Sequence, residues 1–177
     1  MKTSLVLTLI GRDRPGLVSA VAARASALGA NWLESRLAQL AGQFAGVVRL
    51  EVEERDAAQL EVSLRELEAE GLQVIIERGA GARAQAARRI TRLELVGHDR
   101  PGIVRDISAV LARHGVSIEE FETACESAPM SSESLFRATA VLDVPVAVSL
   151  DALRADLEAL ANELMVDLNL NDDSAAC

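Results

Sequence analysis

Two stretches of the chain carry residues suited to chemistry, and they are nearly the same stretch. Residues 11–16 read GRDRPG and residues 97–102 read GHDRPG, 86 positions apart. Each offers a carboxylate (Asp13, Asp99), a guanidinium (Arg14, Arg100) and a further basic or titratable group (Arg12, His98). Each leads into an apolar pattern that starts at Leu17 or Ile103. The start of a helix exposes unpaired N–H groups and carries a partial positive charge. Gly16 and Gly102 remove side-chain bulk at that point, so a carboxylate can approach the backbone. Pro15 and Pro101 remove a competing donor and stiffen the loop. Asp13 and Asp99 offer a carboxylate to an ammonium group. Recognition of a zwitterion needs both signs of charge in one small site, and either turn supplies both. The plainer alternative is a structural turn, in which Asp13 or Asp99 caps the helix and Arg14 or Arg100 joins a weak surface ion pair.

No other chemistry is evident. Carboxylate pairs, His/Cys clusters and Ser/His/Asp sets at telling spacings are missing, so no catalytic residue, metal site or cofactor is expected. Cys125 and Cys177 lack the paired spacing of a disulfide framework or zinc site. Reduced cysteines point weakly to the cytoplasm. Glu119, Glu120 and Glu122 read as the solvated edge of a strand. His98 reads as a polar turn residue, and His114, just before Gly115, as a partner for a helix C-terminus.

The elements that must carry the turns follow from the apolar pattern. Leu5–Ile10 is a short apolar strand ended by Gly11. Leu17, Val18, Val21, Ala22, Ala25 and Leu28 form one helical face, with Pro15 in the first turn and Gly29 as the stop. Residues 31–40 and 44–52 are strands joined by a hairpin at Gly42. Leu60, Leu64 and Leu67 mark a second helix that stops at Gly71, and residues 72–76 close the unit. The order is β-α-β-β-α-β. It then repeats: a strand at 90–96, a helix face of Ile103, Val104, Ile107, Val110 and Leu111, and strands at 117–123 and 136–144. A Leu-lined helix at 150–164 and a strand at 165–170 complete the copy. The second hairpin carries six extra residues within 126–133. These features predict domains at 1–78 and 90–177, a linker at 79–89 that includes a possible helical turn AQAARR, and a disordered tail at 171–177.

Each unit has the size of a small independent domain. The order predicts α+β architecture: two tandem ferredoxin-like units, each a four-stranded antiparallel sheet with both helices on one face. Strands with apolar residues on both faces, such as Val47-Val48 and Leu5-Val6-Leu7, imply that the other face is not all wet, which calls for cover by the sister domain or a second chain. A homo-oligomer is therefore expected.

Composition narrows the function. The 177 residues carry 18 Lys+Arg against 27 Asp+Glu, a net charge of −9. Such a surface repels a phosphate backbone, and with one Trp, three Phe and no Tyr it lacks stacking platforms, so direct nucleic-acid binding is not expected. Arg83, Arg88, Arg89 and Arg92 read as a solvated linker. The N-terminal apolar run ends at Ile10 without a cleavage site, so it is a strand and not a signal peptide. No segment approaches the length of a membrane span.

The turn G-x-D-R-P-G, the aliphatic helix and the G-[AV]-[NS] stop, set within β-α-β-β-α-β, resemble an ACT domain. Two in tandem resemble the glycine cleavage system transcriptional repressor family, over residues 3–78 and 90–170. The resemblance implies a non-enzymatic regulatory protein that binds a small amino acid such as glycine or serine. It also implies sheet pairing, effectors beside the turn, and contact with a LysR-type transcriptional activator. By analogy the ligand set runs from Arg12 to Leu17 in the first copy and from His98 to Ile103 in the second, and it also includes the residue after the Gly stop, Asn31 in the first copy and Ser117 in the second. Asn offers both donor and acceptor, so the first copy keeps the fuller set. Two alternatives stand beside this reading. One is an interaction module with empty turns. The other is a regulatory relative of formyltetrahydrofolate deformylase, which begins with a similar turn and helix but also has a catalytic domain.

Overall fold

The computed structural model describes residues 1–79, 87–127 and 134–172. The chain forms two compact units, Met1–Arg83 and Ala84–Cys177, and each has its own core.

In the first unit, β1 (Lys2–Arg12) leads through the GRDRPG turn into α1 (Leu17–Ala27). β2 (Asn31–Leu40) and β3 (Gln43–Glu53) form a hairpin, α2 (Glu54–Arg65) continues into a 3-10 turn (Glu66–Glu70), and β4 (Leu72–Gly79) closes the sheet. The strand order is β2-β3-β1-β4, all antiparallel. Leu5, Leu7 and Leu9 of β1 alternate inward and meet Val48, Leu50 and Val52 of β3 in one core. Leu17, Val21 and Ala25 of α1 and Ala57, Leu60 and Leu64 of α2 cover that face. The period of two in the strands and the helical spacing of the apolar residues make these faces coincide. Ala41 and Gly42 both have positive φ, 50° and 78°, the two-residue turn whose twist suits a hairpin.

The second unit repeats the plan. It contains β5 (Arg88–His98), α3 (Ile103–Arg113), β6 (Ser117–Ser127), β7 (Ser134–Pro145), α4 (Leu150–Leu164) and β8 (Val166–Asp172). The order is β6-β7-β5-β8. Its core joins Leu93, Leu95 and Leu142 to Ile107, Leu111, Leu153 and Leu157. The Ser149 hydroxyl caps α4 by accepting from the Ala152 N–H.

Several boundaries differ from the sequence reading. Strands run further because antiparallel ladders continue through polar residues: β1 pairs with β3 as far as Arg12↔Gln43. Arg88, Arg89 and Arg92 lie in β5, so the expected linker is shorter and those arginines are not linker residues. Ala87 is irregular and Arg88 begins the strand, so a helical turn over AQAARR does not extend to its last three residues. Its other residues, and Arg83, lie outside the described residues. Asn171 and Asp172 belong to β8 and not to a tail; residues 173–177, with Cys177, lie outside the described residues. Glu126 and Ser127 extend β6, and residues 128–133 of the longer hairpin are likewise outside.

The face of the first sheet away from its helices keeps apolar residues in the open. Ile10 and Val47 are each 44% exposed and Ile75 is 61% exposed. Val47 and Ile75 flank Thr8 in one row across three strands.

Candidate functional site

Each G-x-D-R-P-G turn is held by neighbours on two sides. The Asp13 N–H donates to the Gly42 carbonyl at 2.9 Å, and the Asp99 N–H donates to the Ser134 carbonyl at 2.9 Å. These bonds tie each turn to the hairpin of its own domain. On the other side lies the corner between the second helix and the last strand. A Cβ on Gly11 would stand 2.5 Å from the Gly71 carbonyl oxygen, and one on Gly97 would stand 2.3 Å from Val166 Cγ1. The first glycine of the motif is therefore fixed by close packing.

The last glycine has a different task. Gly16 and Gly102 are the N-caps of α1 and α3, with φ of 96° and 102°. This left-handed conformation is one that side-chain-bearing residues seldom adopt. Two expectations are corrected here. Neither Asp13 nor Asp99 caps its helix, since each N-cap is a glycine without a side-chain cap bond. Pro15 and Pro101 precede the N-cap and so lie outside the first helical turn, which begins at Leu17 and Ile103. The first intrahelical bonds are Ala20 N–H to Gly16 O at 2.9 Å and Asp106 N–H to Gly102 O at 3.0 Å.

The arginines point toward the corner. Arg14 Nη2 donates to the Glu70 carbonyl at 3.0 Å, and its guanidinium lies 3.7 Å from the Glu70 carboxylate. Arg100 Nη2 donates to the Glu163 carbonyl at 3.4 Å. Arg24 adds a 2.7 Å bond to the Glu70 carboxylate in the first domain.

The two turns are not equivalent in the space above them. A Cβ on Gly16 would meet nothing within 4 Å. A Cβ on Gly102 would lie 3.2 Å from Arg105 Nη2 and 3.5 Å from Asp106 Oδ2. Arg105 and Asp106 bind each other at 2.8 Å, and the guanidinium hydrogen bond holds the Asp106 carboxyl below its ordinary value. The first copy has Ser19 and Ala20 at these positions. This difference sits in plain letters in the sequence, three and four residues past the glycine.

Cys125 also belongs to the second turn's surroundings, which sequence reasoning missed. Partial desolvation, then the charge and hydrogen bond of Asp99, push its thiol above the ordinary 9.0. It pairs with Phe136, next to the Leu135 that faces His98. Gln39, paired with Phe44, holds the matching place in the first copy. Arg12 and His98 are exposed at the ends of β1 and β5.

Asn31 and Ser117 are not brought to their own turns. Asn31 pairs with Glu51, which pairs with Ser4 at the far end of β1. Arg12 lies eight residues further along, about 26 Å at strand rise. Ser117 pairs with Asp143, which faces Ile90, at the end of β5 opposite His98. The reason is topological: α1 runs back along the sheet, so β2 starts at the end away from the turn. What neighbours Asn31 and Ser117 instead is a repeated ion pair. Lys2 binds Glu51 at 2.6 Å, and Arg88 binds Asp143 at 2.6 Å. Asp143 is only 6% exposed, and its Oδ1 is buried without a hydrogen-bond partner.

The other candidates resolve simply. The His114 ring meets Asp156 of α4 at 2.9 Å, so it bridges two helices and does not close its own helix end. Glu119, Glu120 and Glu122 are exposed on the edge strand β6. Among the described residues no group of three His, Cys, Asp or Glu could hold a metal ion, and no helix is long and apolar enough to cross a membrane.

Comparison with known proteins agrees with the geometry. ACT domain models match residues 3–77 and residues 91–162. The UPF0237 protein MK1213 of Methanopyrus kandleri is 37% identical over 75 residues, which is 42% of this chain and 77% of that protein. An unknown protein from Galdieria sulphuraria superposes with a TM-score of 0.87 at 28% identity, covering 97% of this chain and 99% of that one. A protein provisionally assigned as a glycine cleavage system transcriptional repressor superposes with a TM-score of 0.71 at 20% identity, covering 97% of both chains. Two βαββαβ units, each opened by the same glycine-bounded turn and each matched by the same kind of domain, place this chain in the ACT-domain family as a tandem pair.

Proposed function

We propose that this protein is a non-enzymatic regulator that binds a small amino acid at a β1–α1 turn and passes its state to a protein partner. ACT membership supports a regulatory, amino-acid-sensing role. The observation that carries the site is the open space above Gly16, at the N-terminus of an eleven-residue helix. An α-carboxylate suits those N–H groups and the helix dipole, with Asp13 beside it for the ammonium. The fold shared with the assigned glycine cleavage repressor favours glycine or serine as the effector and a LysR-type activator as the partner. The net charge of −9 favours contact with that protein over contact with DNA. The reading includes a cytoplasmic protein and a homo-oligomer, the latter supported by the exposed Ile10, Val47 and Ile75.

Titration calorimetry of the full chain with a panel of amino acids tests the sensing role. Heat with one small amino acid, abolished by Ser19→Arg, is the expected result. No heat with any of them sinks it. Capture of a LysR-type activator from extract in an amino-acid-dependent manner tests the partner.

A second reading is favoured by Arg105, whose guanidinium lies beside Gly102: the second domain serves as an interaction module with an empty turn. It predicts one ligand per chain, and two per chain would exclude it.

A further inference from the structure

The motif arginines are the obvious carboxylate ligands by charge, yet both are engaged elsewhere. Arg14 donates to a main-chain carbonyl, that of Glu70, at the end of the 3-10 turn before β4. Arg100 donates to the Glu163 carbonyl in the last turn of α4, before β8. The same motif position reaches the same corner of the fold in both domains, although the side chains at the acceptor end play no shared part. Helix ends leave carbonyls without intrahelical partners, and a guanidinium is a fitting donor for them. The corner is also where the motif's first glycine packs against Gly71 or Val166. Two independent contacts therefore press each turn onto the same corner.

We propose that Arg14 and Arg100 are positioning residues: each fixes its turn to the corner between the second helix and the last strand through a main-chain carbonyl, and leaves ligand contact to the backbone and Asp. This rests on the proposed ligand turn for its purpose, but the strut exists without ligand. In the first domain Arg24 holds the Glu70 carboxylate, so the acceptor residue is itself immobilised.

The test is residue-resolved amide exchange of the full chain without ligand. The reporters are the N–H groups of Asp13, Ala20 and Gly71, which are bonded to Gly42, Gly16 and Glu68, with Leu7 in the core as the control. Arg14→Ala is expected to speed exchange at the three reporters by on the order of tenfold and to leave Leu7 unchanged. Arg14→Lys, which keeps a donor for the carbonyl, restores most of the protection. Glu70→Ala removes the carboxylate but keeps the carbonyl, and it should leave the turn amides within about twofold of the parent. Equal acceleration in Glu70→Ala and Arg14→Ala would overturn the proposal in favour of a surface ion pair. Unchanged reporters in Arg14→Ala, or acceleration that includes Leu7, would overturn it as well. A failure to bind any amino acid moves none of these rates, so the two ideas fail separately.

Discussion

Replacing Gly11 with alanine separates the two glycines of the first motif. The new methyl carbon would stand 2.5 Å from the Gly71 carbonyl oxygen and 3.2 Å from Leu72 Cα. Both are backbone atoms, and Gly71 sits in the left-handed cap of the 3-10 turn with φ of 86°, so neither can rotate away. The overlap must be relieved by moving β4 off β1. Overpacking costs about 1–3 kcal/mol, and backbone against backbone belongs at the upper end, about 3 kcal/mol. For a domain of this size each kcal/mol moves Tm by about 4–8 °C, so a loss of roughly 12–24 °C is expected. Gly16→Ala meets no atom within 4 Å. Its cost is the left-handed conformation alone, about 1–2 kcal/mol. Trp32 is the single tryptophan and packs against the first core, so its fluorescence during thermal unfolding reports on that domain by itself. A midpoint for Gly11→Ala equal to or above that of Gly16→Ala would refute the reasoning.

Four further outcomes follow. Arg88→Ala strands the buried Asp143 carboxylate and should cost about 3 kcal/mol by circular dichroism melting, whereas Lys2→Ala, at the matching but exposed pair, should leave the Trp32 transition nearly unmoved. Asp106 should titrate by NMR below its ordinary 3.8 because of Arg105, and Arg105→Ala should bring it back up. Since the folded value is the depressed one, the small stabilisation is present above pH 4 and is lost as pH falls through the folded value. In a Cys177→Ser background Cys125 should alkylate slowly at pH 8.5, and Asp99→Asn should speed it, because the carboxylate that opposes the thiolate is gone.

The element order was legible because the cores are aliphatic and strictly patterned. Leu5, Leu7 and Leu9 alternate, Leu17, Val21 and Ala25 recur at helical spacing, and both sets are buried. The start of α2 was less visible: its first turn, Glu54 to Asp56, is polar, and it is helical because acidic groups suit a helix N-terminus. Gly11 gave no local sign of its role, since the atom it must avoid lies sixty residues away on Gly71. The capping role expected of Asp13 failed because Gly16 takes the cap itself. The separation of Asn31 from the turn could have been deduced from topology alone, whereas the approach of Cys125 to Asp99 required the strand register, which lines Cys125 up with Phe136 and Gly97.

The distance between Asn31 and its own turn has a consequence for dose and response. An amino acid is a few ångströms long, so it can never touch both within one domain. A ligand seated at the Gly16 turn is therefore read without the Asn31 of that domain, and one seated beside Asn31 is read without the turn. The two ends of the sheet answer to a ligand separately, so Asn31→Ala is expected to leave the affinity of a turn-bound effector unchanged. Titrating the effector into Asn31→Ala beside the parent chain would expose any shift in the half-saturation point.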